Sequence, residues 1–146
     1  MKIFLGADHR GFELKQKLLL FLQQSYEVTD LGAYEYNRED DYNDPAIAVA
    51  KSVLTDPESI GILLCGSSYG VCIQANRFKG IRAISGFTPE LVEHGRTNDD
   101  ANVLCLDADT VTEAEAEQII NVFLNTNFTE EPRYIRRRQK LDEDYQ

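Results

Sequence analysis

The sequence predicts an α/β fold: a three-layer α/β/α, Rossmann-like domain with a five-stranded parallel sheet and a C-terminal basic helical tail. Three observations predict it. Short apolar runs alternate with segments of helical period along the chain, the order expected of βαβ units. The runs are near-continuous in apolar residues, as strands buried on both faces require. Helix-start signals stand between several of them.

Ile3-Phe4-Leu5 reads as a buried strand ending at Gly6, followed by Leu14, Leu18, Phe21 and Leu22 at helical spacing. Tyr26-Glu27-Val28-Thr29 is a second strand, closed by Asp30-Leu31-Gly32, and Ala33 to Asn43 is loop. Asp44-Pro45 reads as an N-cap with proline at the first helical position, opening a helix through Ile47, Val49, Ala50 and Val53. Ile60 to Leu64 is the third strand, with a helix from about Gly70 to Phe78. Ile81 to Ser85 is the fourth, and Thr88-Pro89 caps a helix to about Arg96. Asn102 to Leu106 is the fifth. Thr112-Glu113-Ala114-Glu115 is a capping box for a helix carrying Ile119, Ile120 and Phe123.

The chain of 146 residues is the size of one domain. Its 25 acidic residues against 15 basic ones give a net charge of −10, which disfavours duplex nucleic acid and anionic membrane surfaces as partners. No apolar run approaches the roughly 20 residues that span a bilayer. Charge appears within the first residues, so a signal peptide is not expected. The cysteines Cys65, Cys72 and Cys105 are odd in number, which favours reduced thiols in a cytoplasm. With two histidines and no paired cysteines, a dedicated metal site such as zinc is not expected. One feature opposes the acidic average: Arg133, Arg136, Arg137 and Arg138 crowd into the tail.

In open parallel sheets, ligands bind beyond the carboxyl ends of the strands where strand order reverses. Two strand ends are chemically rich. After the first comes Gly6-Ala7-Asp8-His9-Arg10-Gly11; after the third comes Cys65-Gly66-Ser67-Ser68-Tyr69-Gly70. The second segment can turn sharply and aim N–H groups at an anion or a developing oxyanion. A thiol at such a strand end gains thiolate character as base or nucleophile; the plainer reading is a buried apolar cysteine. His9 could bind phosphate or move a proton, or it could be a turn residue beside a capping Asp8. Gly66 to Gly70 also fits G-x-S-x-G, with Ser68 as a hydrolase nucleophile. The chain is short for that hydrolase fold, and His94 is the sole histidine downstream. No dinucleotide fingerprint follows either strand.

These residues resemble a family, the type-B ribose-5-phosphate isomerases and the galactose-6-phosphate isomerase subunits grouped with them. The resemblance runs through Met1-Lys2-Ile3, Gly6, Asp8-His9, Gly11 to Lys15, Asp41-Tyr42, Gly61 to Ser67, Ala75 to Ala83, Asp100 to Leu104 and the arginine tail. It implies cofactor-independent aldose–ketose isomerisation of a phosphorylated sugar through a cis-enediol. It implies Cys65 as the base, Ser67 assisting proton movement at the oxygens, and Gly66 to Gly70, with Ser68 and Tyr69, as the loop holding the enediolate. It implies Asp8 and His9 as substrate contacts and Arg133 and Arg137 as phosphate ligands. It also implies a site between two subunits, in a homodimer or homotetramer, with residues 1–146 forming one domain and the tail from about 129 packing on the partner.

The sequence departs from the family pattern in places. The family's ring-opening histidine falls at Asn98, which cannot exchange a proton near neutral pH, and Asp99 replaces a neutral amide. Ser68-Tyr69 stands where the family has glycine and a small aliphatic residue, so Tyr69 is expected to narrow the pocket. Tyr134 stands where the family often has histidine. The departures fit an isomerase for another or open-chain phosphosugar. They also fit His94 or Asp99 as substitute acid, His94 being one helical turn from Asn98. A third fit is a protein that only binds sugar phosphate, or a partner subunit.

Overall fold

The computed structural model describes residues 1–145. Five strands form one parallel sheet: β1 (Lys2–Ala7), β2 (Glu27–Asp30), β3 (Ile60–Cys65), β4 (Ala83–Ser85) and β5 (Val103–Asp107). Six helices accompany them: α1 (Phe12–Gln23), α2 (Asn43–Thr55), α3 (Tyr69–Ala75), α4 (Pro89–Asp99), α5 (Glu113–Asn125) and α6 (Pro132–Leu141). The strand order is β2-β1-β3-β5-β4. The chain moves outward from β1 to β2, then crosses back to place β3 on the other side of β1. Strand order therefore reverses between β1 and β3, and a crevice opens there at the carboxyl ends.

The inner strands β1, β3 and β5 are largely apolar because each face meets helices, whereas the edge strand β2 has no buried residue. Ile3, Leu5, Ile62, Leu64, Leu104 and Leu106 join Leu18, Val92, Ile120 and Phe123 in the core under α1, α4 and α5. Phe4, Leu63, Cys65, Val103 and Cys105 pack with Val49, Val53, Val71 and Ala75 under α2 and α3. The three expected layers are present. No helix is long and apolar enough to cross a membrane among the described residues.

Several boundaries differ from the sequence reading. Helix α2 begins at Asn43, ahead of the expected Asp44-Pro45 cap, with Tyr42 before it and no side-chain cap. Proline is tolerated one turn in because the first N–H groups of a helix have no partner in any case. Helix α3 ends at Ala75, short of Phe78. Asn76 exchanges hydrogen bonds with the Ala83 backbone, at 2.8 Å in each direction, and ties the chain to the start of β4. Strand β4 begins at Ala83 and not Ile81, because Arg82 gives its N–H to the Asn102 side chain at 2.8 Å. Helix α4 runs past Arg96 to Asp99 and stops at Asp100, which takes a left-handed conformation at φ 52°. The Thr112–Glu115 capping box forms in full.

The tail is helical. Thr129 donates its N–H to the Thr97 carbonyl at 2.9 Å, and Arg138 pairs with Asp100 at 3.0 Å, docking α6 on the end of α4. Arg138, to which the resemblance gives no role, is an anchor within the chain. Its guanidinium also lies 5.0 Å from the centre of the Phe128 ring.

Gly11 shows how closely α1 approaches the sheet. A Cβ there would stand 2.6 Å from Leu64 Cβ and 2.9 Å from the Leu64 carbonyl. Backbone cannot move aside as a side-chain end can. Gly11→Ala is expected to lower stability by about 1–3 kcal/mol in denaturant unfolding, the usual cost of overpacking. An unchanged midpoint would contradict the close approach.

Candidate active site

The two chemically rich strand ends meet in the β1/β3 crevice. They line a pocket of about 320 Å³ formed by Asp8, His9, Arg10, Tyr42, Cys65, Gly66, Ser67 and Gly70. Cys65 closes β3 and is 4% exposed. Ser67 is exposed at the mouth. The carbonyls of Cys65 and Gly66 are taken by the N–H groups of Ala108 and Asp109, at 2.9 and 3.1 Å, which fixes the start of the loop. The first N–H groups of α3, just beyond, have no carbonyl of their own helix to bond and are available as donors. Tyr42 packs on Gly70 so closely that a Cβ there would lie 2.9 Å from its ring.

Asp8 Oδ1 accepts the backbone N–H groups of Arg10 at 2.9 Å and Gly11 at 3.1 Å, shaping the turn into α1. Burial pushes its carboxyl above the ordinary range, and those two N–H groups with His9 pull the other way. Asp40 Oδ1 lies 2.7 Å from His9 Nδ1 and accepts the His9 N–H at 3.0 Å. A carboxylate only accepts, so Nδ1 carries a proton and Nε2 is the ring nitrogen left for a ligand. Arg10, Asp40 and Tyr42 gained no role from the sequence. Tyr42 reaches the pocket from a helix entry and Asp40 holds His9 from a loop, and strand periodicity reports the position of neither.

Ser68 and Tyr69 do not line this pocket. Ser68 is fully buried, sits at φ 69°, and donates its hydroxyl to Ser85 Oγ at 2.9 Å. Left-handed backbone costs a non-glycine residue about 1 kcal/mol or more, and the buried hydroxyl contact offsets part of that. A serine nucleophile needs an exposed hydroxyl beside a base; Ser68 has neither, so the G-x-S-x-G reading loses its geometry. Tyr69 is 58% exposed and meets Phe87 edge-on at 5.9 Å, outside the pocket it was expected to narrow.

The other two cysteines lie beneath the loop. The Cys72 thiol is held down to about 7, chiefly by its hydrogen bond with the Cys105 thiol and also by Ser85, against its own burial. Burial pushes the Cys105 thiol well up. No group of three or more histidines, cysteines or carboxylates is placed to hold a metal among the described residues.

Asn98, Asp99, Arg133 and Arg137 stand elsewhere. Asn98 and Asp99 form the last turn of α4, which leads to Val103 at the amino end of β5. Val103 pairs with Gly61, whereas Asp107 pairs with Cys65. Four strand residues separate these ends, about 13 Å at the usual rise. Arg133 and Arg137 ride on α6, docked at the same end. Arg133 stacks over Tyr134 at 4.7 Å and pairs with Glu131 at 3.1 Å. Arg137 is exposed and has no ion-pair partner among the described residues. Asn98 Nδ2 lies 3.1 Å from the ring nitrogens of His94. One chain thus carries two halves of the expected site at opposite ends of its sheet.

Comparison with known proteins agrees with this fold and with the resemblance of the sequence. The family model described as Ribose/Galactose Isomerase matches residues 3–141. Ribose-5-phosphate isomerase B of Mycolicibacterium paratuberculosis is 38% identical over 138 residues, 94% of this chain and 87% of that protein. A ribose 5-phosphate isomerase from Thermotoga maritima superposes with a TM-score of 0.93 at 38% identity, covering 98% of both chains. The Mycoplasma genitalium ribose-5-phosphate isomerase B, solved with bound ribulose-5-phosphate, gives 0.91 at 38% identity, covering 96% of this chain and 93% of that one. With the model matched over nearly its whole length, the chain belongs to the ribose/galactose isomerase family.

Proposed function

We propose that this protein interconverts ribose 5-phosphate and ribulose 5-phosphate, or a closely related pentose or hexose phosphate pair, with Cys65 as the base. The carrying observation is the position of Cys65 at the end of β3, in the crevice where Asp8 and His9 also arrive. The proton to be removed sits on the carbon beside a carbonyl and is weakly acidic, so a base alone is insufficient. The enediolate oxygen must be stabilised as charge develops, and the N–H groups opening α3 suit that task. In this reading the Cys65 thiolate takes the proton from C2 and returns it to C1. Ser67, exposed at the mouth, moves protons between the two oxygens. Asp8 and His9 hold sugar hydroxyls.

The split between the two groups of site residues supports a site shared by two copies of the chain. Asn98, Asp99, Arg133 and Arg137 of one copy would then reach the Cys65 pocket of another, with the arginines taking the phosphate through paired N–H donors. Residues 1–146 act as one domain in this reading, and the α6 tail faces the second copy. In this reading His94, in contact with Asn98, or Asp99 supplies the acid–base function that asparagine lacks.

Exchange of the C2 proton with solvent deuterium tests the chemistry; no exchange with any tightly bound phosphosugar would leave a binding protein. Mixing tests the shared site. Cys65→Ala and Arg137→Ala, each inactive alone, are expected to regain about one quarter of wild-type activity after random exchange of subunits, because half the dimers then hold one intact site. No recovery in dimers shown to have exchanged would argue for a site within one chain.

A further inference from the structure

We propose that Arg10 is a phosphate-binding residue of the Cys65 pocket, contributed by the same chain as the thiol. This rests on the phosphosugar reading above and adds to it, since the resemblance assigns phosphate to Arg133 and Arg137 alone. Arg10 is the one lysine or arginine lining the pocket. It does not reach there as a loose surface chain. Asp8 Oδ1 accepts the Arg10 backbone N–H at 2.9 Å, fixing where the side chain starts. Gly66 makes room for its end: a Cβ on Gly66 would come 2.7 Å from Arg10 Nε and 2.9 Å from Cζ. The guanidinium therefore lies directly over the loop that follows Cys65.

Asp109 braces it. Nε donates to Asp109 Oδ1 at 3.2 Å, and Nη2 donates to Oδ2. A guanidinium has five N–H donors in a rigid fork, and Asp109 engages two. Three are left, and the side chain is 57% exposed, so they have access to a ligand. A carboxylate on one edge and an oxyanion on another is an arrangement that arginine's planar charge accommodates and a lysine's does not. An exposed ion pair contributes little to folding, so stability alone gives a weak reason to seat this one on the loop. The wider charge gives a better one. A chain of net charge −10 repels a phosphate dianion, and a cation fixed in the pocket counters that repulsion where the substrate must sit.

The test is titration calorimetry of the full chain with ribose 5-phosphate and, separately, inorganic phosphate. Arg10→Gln is expected to weaken both by about 10- to 100-fold, the range for losing hydrogen bonds to a charged group. Its thermal unfolding midpoint is expected to stay at the wild-type value. Arg10→Lys, which keeps the charge but not the fork, is expected to fall between. Unchanged affinity in Arg10→Gln would overturn the assignment, as would a loss of affinity accompanied by a fallen midpoint. Isomerase turnover is read on the same samples. A wild-type chain that turns over no phosphosugar would remove the isomerase reading, and the calorimetry would still decide Arg10.

Discussion

Cys65→Ala is expected to lower kcat by about 10²- to 10⁴-fold, the usual contribution of a positioned general base. The fall should appear in kcat with little change in KM, because the thiol acts on the reacting carbon while other groups hold the sugar and phosphate. Cys65→Ser should recover little, since a hydroxyl is far less acidic than a thiol and is scarcely ionised near neutral pH. The neighbouring thiols supply the control. Cys72 donates to the Ala83 carbonyl at 3.3 Å and contacts Cys105 and Ser85, all beneath the loop and outside the pocket. Cys72→Ser should therefore keep most activity while Cys65→Ala loses it. Full activity in Cys65→Ala would show that another group takes the proton.

The largest expected effect on stability comes from Asp30. Lys15 is fully buried, and its ammonium meets both carboxylate oxygens of Asp30, at 2.6 and 2.5 Å. Asp30 also accepts the Gly32 N–H at 2.9 Å, so the pair joins α1 to the end of β2. Asp30→Ala leaves an ammonium with no counter-charge in the interior. Breaking a buried pair in this way costs about 3–5 kcal/mol. For a chain of this size that lowers the midpoint on the order of 10 °C. Lys15→Met is expected to cost clearly less. It fills similar volume, and the Asp30 left behind is 19% exposed and keeps its N–H partner. Thermal unfolding of the two variants checks the order, and equal losses would mean that packing around Lys15 matters more than its charge.

The parts of the fold legible in the sequence were those set by local chemistry. Continuous apolar runs located β1, β3 and β5, shorter mixed runs located β2 and β4, and the capping box located α5. Boundaries were lost where a distant side chain imitates a strand. The Asn76 and Asn102 amides hydrogen-bond the backbone beside β4, and the apolar pattern of the strand does not report partners 7 and 20 residues away. In the candidate site, Cys65, Asp8 and His9 were legible because strand ends are where such sheets bind. Arg10 was in view as a letter of the same segment, but its use depends on Asp109, 99 residues later. Ser68 carried the opposite lesson. Its motif was chemically suggestive, and only the contact with Ser85 reveals that the hydroxyl turns inward.

The two-sided packing of β3 has a consequence for how the thiol can be inherited. Ile60, Ile62 and Leu64 belong to one core, and Leu63 and Cys65 to the other. Which side Cys65 faces is therefore a matter of parity. A single-residue insertion or deletion between Ile60 and Cys65 would exchange odd for even and turn the thiol toward α1 and α5. A two-residue change would restore its side but shift it along the strand by about 6–7 Å, away from the loop. Length in this stretch should consequently tolerate no variation in any active relative, whereas the identity of the apolar residues within it can drift.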